Sequence, residues 1–597
     1  MRSECHGWRI GYGMNDLRIV NLVVHAVALV AWAGAAPAQT LPSAGSVLRQ
    51  QEMAVPARPA QLPAAQSKDL VTTTAPLLAG EVRILVKSIR FSGIQALASE
   101  VELQGLVQDS IGKELGTGQL QQLAERVTEF LKSRGWFSAR ASLPEQDLTD
   151  GKLEISISTG RVDGGLQGIE LKAPEARLKE QHVRAVLAAT LTGIDALGLN
   201  LQHLERTLLV LNELPGINAQ ASLARGKDSN STRLQIEIAE GPALQSSATL
   251  DNFGSRYTGS VRGTGQLRIM DPSGAGDQVT LGAVGAAGVA MGSVGYSRPL
   301  GASGLNWGLN ASTMRYSIGA DLSNLDLSGS ASTAGVSLGY PFLLSNNAHL
   351  RGTLAADYKA LADSGNGASL RDKRLLNAVA SLTGDRLDEL GGGALNNFSL
   401  TLTLGRLDLS GSASDLAADQ TGPRANGSFN KVSYSLSRLQ KLPGAFTLLA
   451  SLNGQFANTN LDSSEKFILG GSSGVRAYPG GEGSGDSGWV GSLEARYDVP
   501  TVTSLGNLQW FAFLDTGHVT LNSNVWGAGA VSNAEGVNSY GLSGAGFGLT
   551  LTRPGIHTVR ALWTQAVGSN PGRSLAGNNN DGLADRSRFV LMSSFYF

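Results

Sequence analysis

The residues best placed for chemistry lie in one glycine-rich stretch, Leu469-Gly470-Gly471-Ser472-Ser473-Gly474-Val475-Arg476-Ala477-Tyr478-Pro479. Arg476 is its only charge. A guanidinium presents a planar fork of donors that fits a carboxylate two bonds at a time. Inward carboxylates are available further on. Leu508, Trp510, Ala512 and Leu514 alternate with Gln509, Phe511, Phe513 and Asp515, and the second set has the phase of an interior face. In the same way Trp489, Gly491, Leu493, Ala495, Tyr497 and Val499 oppose Ser492, Glu494, Arg496 and Asp498. Two arrangements follow. Folded inward, the stretch brings Arg476 to Asp515 in a partly dry lumen, a stronger lock than any surface pair. Standing outward, it leaves a solvated arginine worth little.

Catalytic signatures fare worse. Gly485-Asp486-Ser487-Gly488 has the form of a serine-protease nucleophile turn, yet no histidine motif accompanies it to act as base. Asn579-Asn580-Asp581-Gly582 has part of a calcium loop, but Gly577 occupies the first ligand position and no glutamate closes the site. His182, His203, His349, His518 and His557 stand singly, and no G-x-x-x-x-G-K-[ST] phosphate loop occurs. No catalytic residue, no metal ligand set and no cofactor is expected. The formal net charge of -1 leaves no basic excess for a nucleic-acid partner.

The elements that must position the arginine divide the 597 residues into unlike parts. Arg18, the apolar run from Ile19 to Trp32 and Ala36-Pro37-Ala38 read as a secretory signal over 1–38, with Met1 or Met14 as the start. The single cysteine, Cys5, falls before or within that signal, so the exported chain carries no thiol, as suits an oxidising compartment. Over 39–80, Gly45 to Met53 reads as a short helix, followed by a linker rich in Pro, Ala and Gln. Two α+β units follow, over 81–162 and 163–242. In the first, Val82, Ile84, Val86 and Ile89 make a strand-like run. A helical face follows at Leu120, Leu123, Val127, Phe130 and Leu131, with Gly135 as its cap, and Phe137 to Leu143 reads as a further strand. The second unit repeats the rhythm: Ile169 to Leu171 start it, Leu201, Leu204, Leu208 and Leu211 form a helical face stopped by Pro215-Gly216, and Leu234, Ile236 and Ile238 close it.

From 243 to 597 the helical period vanishes. Segments of about ten alternating residues, parted by Gly, Asn, Asp and Ser turns, replace it. Charged residues are only 16% while glycines number 76, which fits sheets with one apolar and one wet face. No stretch after the signal could cross a membrane as a helix, so a spanning chain of this kind must close into a barrel. The final strand places Phe589, Leu591, Phe595 and Phe597 on one face, and an aromatic residue ends the chain.

Taken together, Val475-Arg476-Ala477-Tyr478-Pro479, Phe513-Leu514-Asp515-Thr516-Gly517 and the two α+β units resemble the two-partner secretion transporters. These are the haemolysin and haemagglutinin secretion/activation proteins of the Omp85 superfamily. Gly112-Lys113 through Gly135-Trp136-Phe137, with Leu143-Pro144-Glu145-Gln146, is similar to the first POTRA domain of that family. Glu213-Leu214-Pro215-Gly216-Ile217 is similar to the second. Ala477 departs from the glycine that follows the arginine in much of the superfamily. The resemblance implies a transmembrane β-barrel of ~16 antiparallel strands, preceded by two POTRA domains and an N-terminal plug helix near Val47 to Met53. It implies that Arg476 pairs with Asp515 inside the pore, with Val475, Tyr478 and Gly517 completing the lock. Glu494, Arg496 and Asp498 would line the lumen, and Phe597 would serve as the membrane-assembly signal.

The implied activity is secretion, without ATP, of a large exoprotein (a haemolysin, an adhesin or a haem-binding protein) that POTRA domains recognise in the periplasm. The other expected partners are outer-membrane lipid and the barrel assembly machinery, in the outer membrane of a Gram-negative bacterium. An Omp85-type assembly factor and a passive porin or adhesin barrel are the alternatives. The first usually carries more POTRA domains, and the second leaves the two α+β units idle.

Overall fold

A computed structural model describes residues 42–53, 83–93, 95–173, 176–228 and 231–597. The secretory signal expected over 1–38 and the linker expected after Met53 lie outside the described residues.

The alternating sequence from Leu244 onward closes into a barrel of sixteen antiparallel strands, from Leu244–Asp251 to Ser587–Tyr596. The first and last strands pair from Ser247↔Tyr596 to Asp251↔Met592. Closure leaves no unpaired edge, which a bilayer interior demands of any sheet. The period of two sets the faces. On Ala394–Asp408, Leu400, Leu402 and Leu404 point out while Thr403, Gly405 and Leu407 are buried within. Among the described residues no helix is long and apolar enough to cross a membrane.

Two α+β units precede the barrel. In the first, Ser88–Gly93 runs parallel to Lys152–Ser158, which pairs on its other side with Arg140–Ser142. Helices Glu100–Val107 and Thr117–Ser133 cover this sheet and bury Leu103, Leu123, Val127 and Leu131 against Phe91 and Ile155. Ser99 and Glu102 cap the first helix reciprocally. Gly135 ends the second in the left-handed region at φ 91°.

Two expected strands are shorter than their patterns. The run beginning at Val82 breaks after Leu85, because Arg83–Leu85 pairs with Glu114–Gly116 and Ser88–Gly93 pairs elsewhere. The strand expected from Phe137 starts only at Arg140, because a turn donating Ala139 N to Trp136 O (3.0 Å) comes first.

In the second unit Ile217–Arg225 and Ser231–Glu240 form a hairpin, flanked by Glu170–Lys172 and Arg161–Val162. Helices Glu180–Thr190 and Leu201–Asn212 pack on it. The two units also meet each other. Leu201 N donates to Gly135 O at 2.8 Å across their joint. The second unit seats on turns of the barrel through Lys179 N to Gly274 O (3.0 Å), Asn346 N to Glu205 Oε1 (3.1 Å) and the Arg351–Glu213 ion pair.

Candidate functional site: a loop and a helix inside the barrel

Residues 458–486 link strands Phe446–Ala457 and Ser487–Asp498 at the barrel end away from the α+β units. They fold back into the lumen. A short pairing of Phe467–Ile468 with Ser484–Gly485 makes the neck. Beyond it the backbone turns so tightly that a Cβ on Gly474 would lie 2.1 Å from Leu469 O. Only glycine fits there. Val475 N then donates to Leu469 O at 2.8 Å, and Tyr478 N to Val475 O at 3.1 Å.

Val475, Ala477 and Tyr478 are buried against Leu469, Val519, Tyr540 and Leu542. The wall makes room for them with missing side chains. A Cβ on Gly517 would meet Leu469 Cδ1 at 2.6 Å, and one on Gly544 would meet Ala477 Cβ at 2.6 Å. The methyl of Ala477, the departure from the superfamily pattern, is therefore seated over a glycine of the facing strand.

These contacts aim Arg476 at the wall. Its Nε and Nη2 each reach Asp515 at 2.8 Å, a forked pair. Nη1 donates to Glu494 Oε2 at 2.6 Å, Nη2 to Ser492 Oγ at 3.0 Å, and the backbone N of Arg476 to Asp515 Oδ2 at 3.1 Å. The guanidinium lies 3.5 Å from the centroid of the Phe513 ring. Burial opposes the charge of Arg476, but its bonds to Asp515 and the attraction of Asp515 and Glu494 outweigh this, and its pKa rises. Glu494 is shared, receiving Arg496 Nε and Arg560 Nη2 at 2.9 Å each.

The structure thus gathers Val475, Arg476, Tyr478, Glu494, Arg496, Asp515 and Gly517 in one place. Asp498 has the same inward phase but sits exposed at the strand end, accepting from Gln509 Nε2 at 2.7 Å. Phe597 stands apart from this cluster. It is 77% exposed, and its backbone exchanges hydrogen bonds with Ser246 at 2.9 and 3.0 Å. Sequence reasoning missed Ser492 as a ligand, the ring of Phe513 and the third arginine, Arg560. The inward phase of Arg560 in His557–Val567 was the available signal.

The helix Ala44–Met53 lies in the same lumen. Ala44, Val47 and Leu48 are buried among wall residues Met314, Leu361 and Leu375 and Leu461 of the loop. Asp363 accepts from Ala44 N at 2.7 Å, an acceptor borrowed from the wall for the helix N-terminus, where Ser43 Oγ takes Ser46 N at 3.3 Å. Gln51 accepts from Arg262 at 3.3 Å. Loop and helix also touch directly, through Ser473 Oγ to Met53 O (2.9 Å), Arg49 Nε to Lys466 O (3.3 Å) and Ser43 Oγ with Ser463 Oγ (2.9 Å). A Cβ on Gly45 would lie 2.5 Å from Ser463 Oγ.

At the loop's outer turn Glu482 is buried, accepting from Asn570 Nδ2 at 2.7 Å and from Asn580 N at 2.6 Å. Burial pushes its carboxyl up to about 7.

A lipid-facing barrel whose lumen holds an inserted loop and a helix, with a two-unit arm at one end, has the architecture of an outer-membrane protein transporter. The comparisons with known proteins carry this further. The family described as "Haemolysin secretion/activation protein ShlB/FhaC/HecB" matches residues 230–551, and "POTRA domain, ShlB-type" matches 84–160. "Heme/hemopexin transporter protein HuxB" of Haemophilus influenzae is 26% identical, over 82% of this chain and 83% of that protein. "Outer membrane transporter CdiB" of Dickeya dadantii (strain 3937) is 27% identical, over 67% of this chain and 70% of that protein. Among solved structures, CdiB from Escherichia coli superposes with a TM-score of 0.70 at 20% identity, covering 89% of this chain and 93% of that one. This last likeness concerns the fold.

The chain belongs to the haemolysin secretion/activation protein family, the two-partner secretion transporters of the Omp85 superfamily. It is an outer-membrane transporter that secretes a partner exoprotein, and its POTRA domains lie in the periplasm.

Proposed function

We propose that the transporter threads one large exoprotein, unfolded, through a pore that is closed at rest by the helix Ala44–Met53 and the loop 458–486. The observation that carries this reading is the occupancy of the lumen. The forked Arg476–Asp515 pair fastens the loop in the path a substrate must take. POTRA units over 81–162 and 163–242 receive an extended segment of the cargo, which adds to a sheet edge through main-chain hydrogen bonds. Folding of the cargo outside biases the movement, so no nucleotide is required. Once the loop has left, Glu494 and Arg496 are lumen charges that keep a polar chain wet, and Asp498 stands at the periplasmic mouth.

Arg476, Asp515, Val475, Tyr478 and Gly517 act as conformational parts, and the protein makes and breaks no covalent bond. Phe597 marks the chain for the barrel assembly machinery, and the outward leucines meet outer-membrane lipid. The cargo is a haemolysin, an adhesin or a haem-binding protein. The relative named as a heme/hemopexin transporter supports the last of these.

The test is the amount of a candidate exoprotein from the same genome that reaches the medium when it is co-expressed with this chain. It is compared for wild type, Arg476→Ala and a deletion of 81–242, with barrel insertion followed by heat-modifiable migration. Secretion lost in the inserted deletion supports recognition by the POTRA units, and undiminished secretion refutes it.

A further inference from the structure

Arg476 fastens only the tip of the loop. The limb that leads to it is held on a separate sector of the wall, by groups the Arg476 cluster does not use. Asp462 Oδ2 meets Lys373 Nζ at 2.7 Å, while its Oδ1 accepts from Ser464 N and Oγ at 2.9 and 2.8 Å. Glu465 meets Lys431 Nζ at 2.8 Å and Lys359 Nζ at 3.1 Å, and accepts from Asn377 Nδ2 at 3.1 Å. Lys431 Nζ and Gln455 Nε2 also donate to the Glu465 carbonyl, at 3.0 and 2.9 Å.

The three lysines project from Ala348–Gly365, Ala368–Asp388 and Gly427–Lys441, none of which carries a ligand of Arg476. Side chains of Asp462 and Glu465 are 2% and 4% exposed. The helix enters the same set from one end. Glu52 reaches Lys359 at 3.5 Å and is also paired with Arg49 at 3.5 Å.

We infer that Lys359, Lys373 and Lys431 form a second lock that holds the base of the loop, so that the gate opens in two stages with the helix leaving first. This rests on the reading of the loop as a gate. Three wall lysines form ion pairs with three carboxylates, two from the loop and one from the helix, and the charges of Asp415 and Asp357 also act on Lys373 and Lys359. Withdrawing the helix removes a long bridge from a partly exposed Glu52 and leaves Lys359 still paired with Glu465. Withdrawing the loop takes the paired carboxylates from Lys373 and Lys431 and leaves them only the charge of Asp415 and a 3.5 Å bond to Gln455 Oε1, and breaking a buried pair on one side is the costly change. The base lock therefore outlasts the helix and sets the barrier for the loop. Asp462, Glu465 and the three lysines are positioning residues, since they act on the path and not on the cargo.

The test is single-channel recording of the purified full chain in planar bilayers, with barrel insertion checked by heat-modifiable migration. Lys373→Glu sets two carboxylates against each other and is expected to raise the open fraction by at least about tenfold, ~1.4 kcal/mol of gate equilibrium. The swap Lys373→Glu with Asp462→Lys is expected to return it to within about twofold of wild type, a rescue that a general loss of packing would not give. An open fraction equal to wild type in Lys373→Glu, or a swap no more closed than the single variant, overturns the inference. If Lys373→Glu does not insert, the isosteric Glu465→Gln is read in its place, with a tenfold rise supporting the lock and no change overturning it. Arg476→Ala is recorded beside them. A pore that stays closed there but opens in Lys373→Glu counts against the tip lock and leaves the base lock standing.

Discussion

Replacing Arg476 by alanine deletes one guanidinium from three carboxylate contacts, and the loss falls unevenly. Glu494 keeps Arg496 and Arg560 at 2.9 Å each. Asp515, its side chain 0% exposed, loses both arms of the fork and retains the Ser492 hydroxyl at 2.8 Å and the backbone N of residue 476. A buried charge left without its partner costs about 3–5 kcal/mol. Arg476 is 12% exposed and the lumen is partly wet, so the lower end applies, ~3 kcal/mol or roughly a hundredfold in the in/out equilibrium of the loop tip. Arg476→Ala combined with Asp515→Asn removes the stranded charge as well, and should recover about 1.5 kcal/mol of that loss. With Cys5 as the only cysteine of the chain, the assay is direct. A Val475→Cys reporter, buried at rest, is treated with a membrane-impermeant maleimide on whole cells. The labelling rate should rise about a hundredfold in Arg476→Ala and less in the double variant. An unchanged rate in Arg476→Ala would show that the guanidinium does not hold the loop tip.

Gly517→Ala would place a methyl 2.5 Å from Trp489 O and 2.6 Å from Leu469 Cδ1. About 1–3 kcal/mol of strain should lower the temperature at which the barrel loses its heat-modifiable form, and an unaltered transition would show that the loop does not press there. Gly45→Ala drives a Cβ to 2.5 Å from Ser463 Oγ and 2.8 Å from Ser464 N. It should dislodge the helix and raise basal conductance, whereas unchanged conductance speaks against helix–loop contact at rest. Glu482 titrates with the sign opposite to a salt-bridged acid. Its folded pKa, about 7, stands above the unfolded one, so the folded loop binds the extra proton and stability falls as pH rises through 4.5 to 7. The loop-to-loop packing around Glu482, Asn570 and Asn580, with Asp581 and Arg573 as the charges facing it, should loosen above neutrality. Glu482→Gln should remove that dependence in hydrogen exchange of residues 570–582, and a pH profile parallel to wild type would contradict the assignment.

Some of this was legible in the sequence for a simple reason. A strand has a period of two, so the phase of Asp515 against Leu514, or of Glu494 against Leu493, follows from local order alone, and the barrel class follows from many such segments. The α+β units were readable through helical spacing and glycine stops. Val82 to Ile89 misled as a single strand, because a run of alternating residues does not say where it changes partner. The lumen contacts had no local signature. Ser473 meets Met53 across 420 positions of chain and Asn377 meets Glu465 across 88. Lys359, Lys373 and Lys431 carry no motif, and only the register of neighbouring strands brings them to one sector. Arg560 came nearest to being readable, since its phase faces it inward, but a phase does not name a partner.

Whether this barrel exports a partner protein is tested most directly by restoring it to a host that has neither gene. A candidate exoprotein from the same genome is expressed with and without this chain, and the medium and the periplasm are assayed for it. Intact exoprotein is expected in the medium only when the chain is present and its POTRA units are intact, with the unfolded form held in the periplasm otherwise. Equal amounts in the medium with and without the chain, in cells whose outer membrane is sealed, would contradict it.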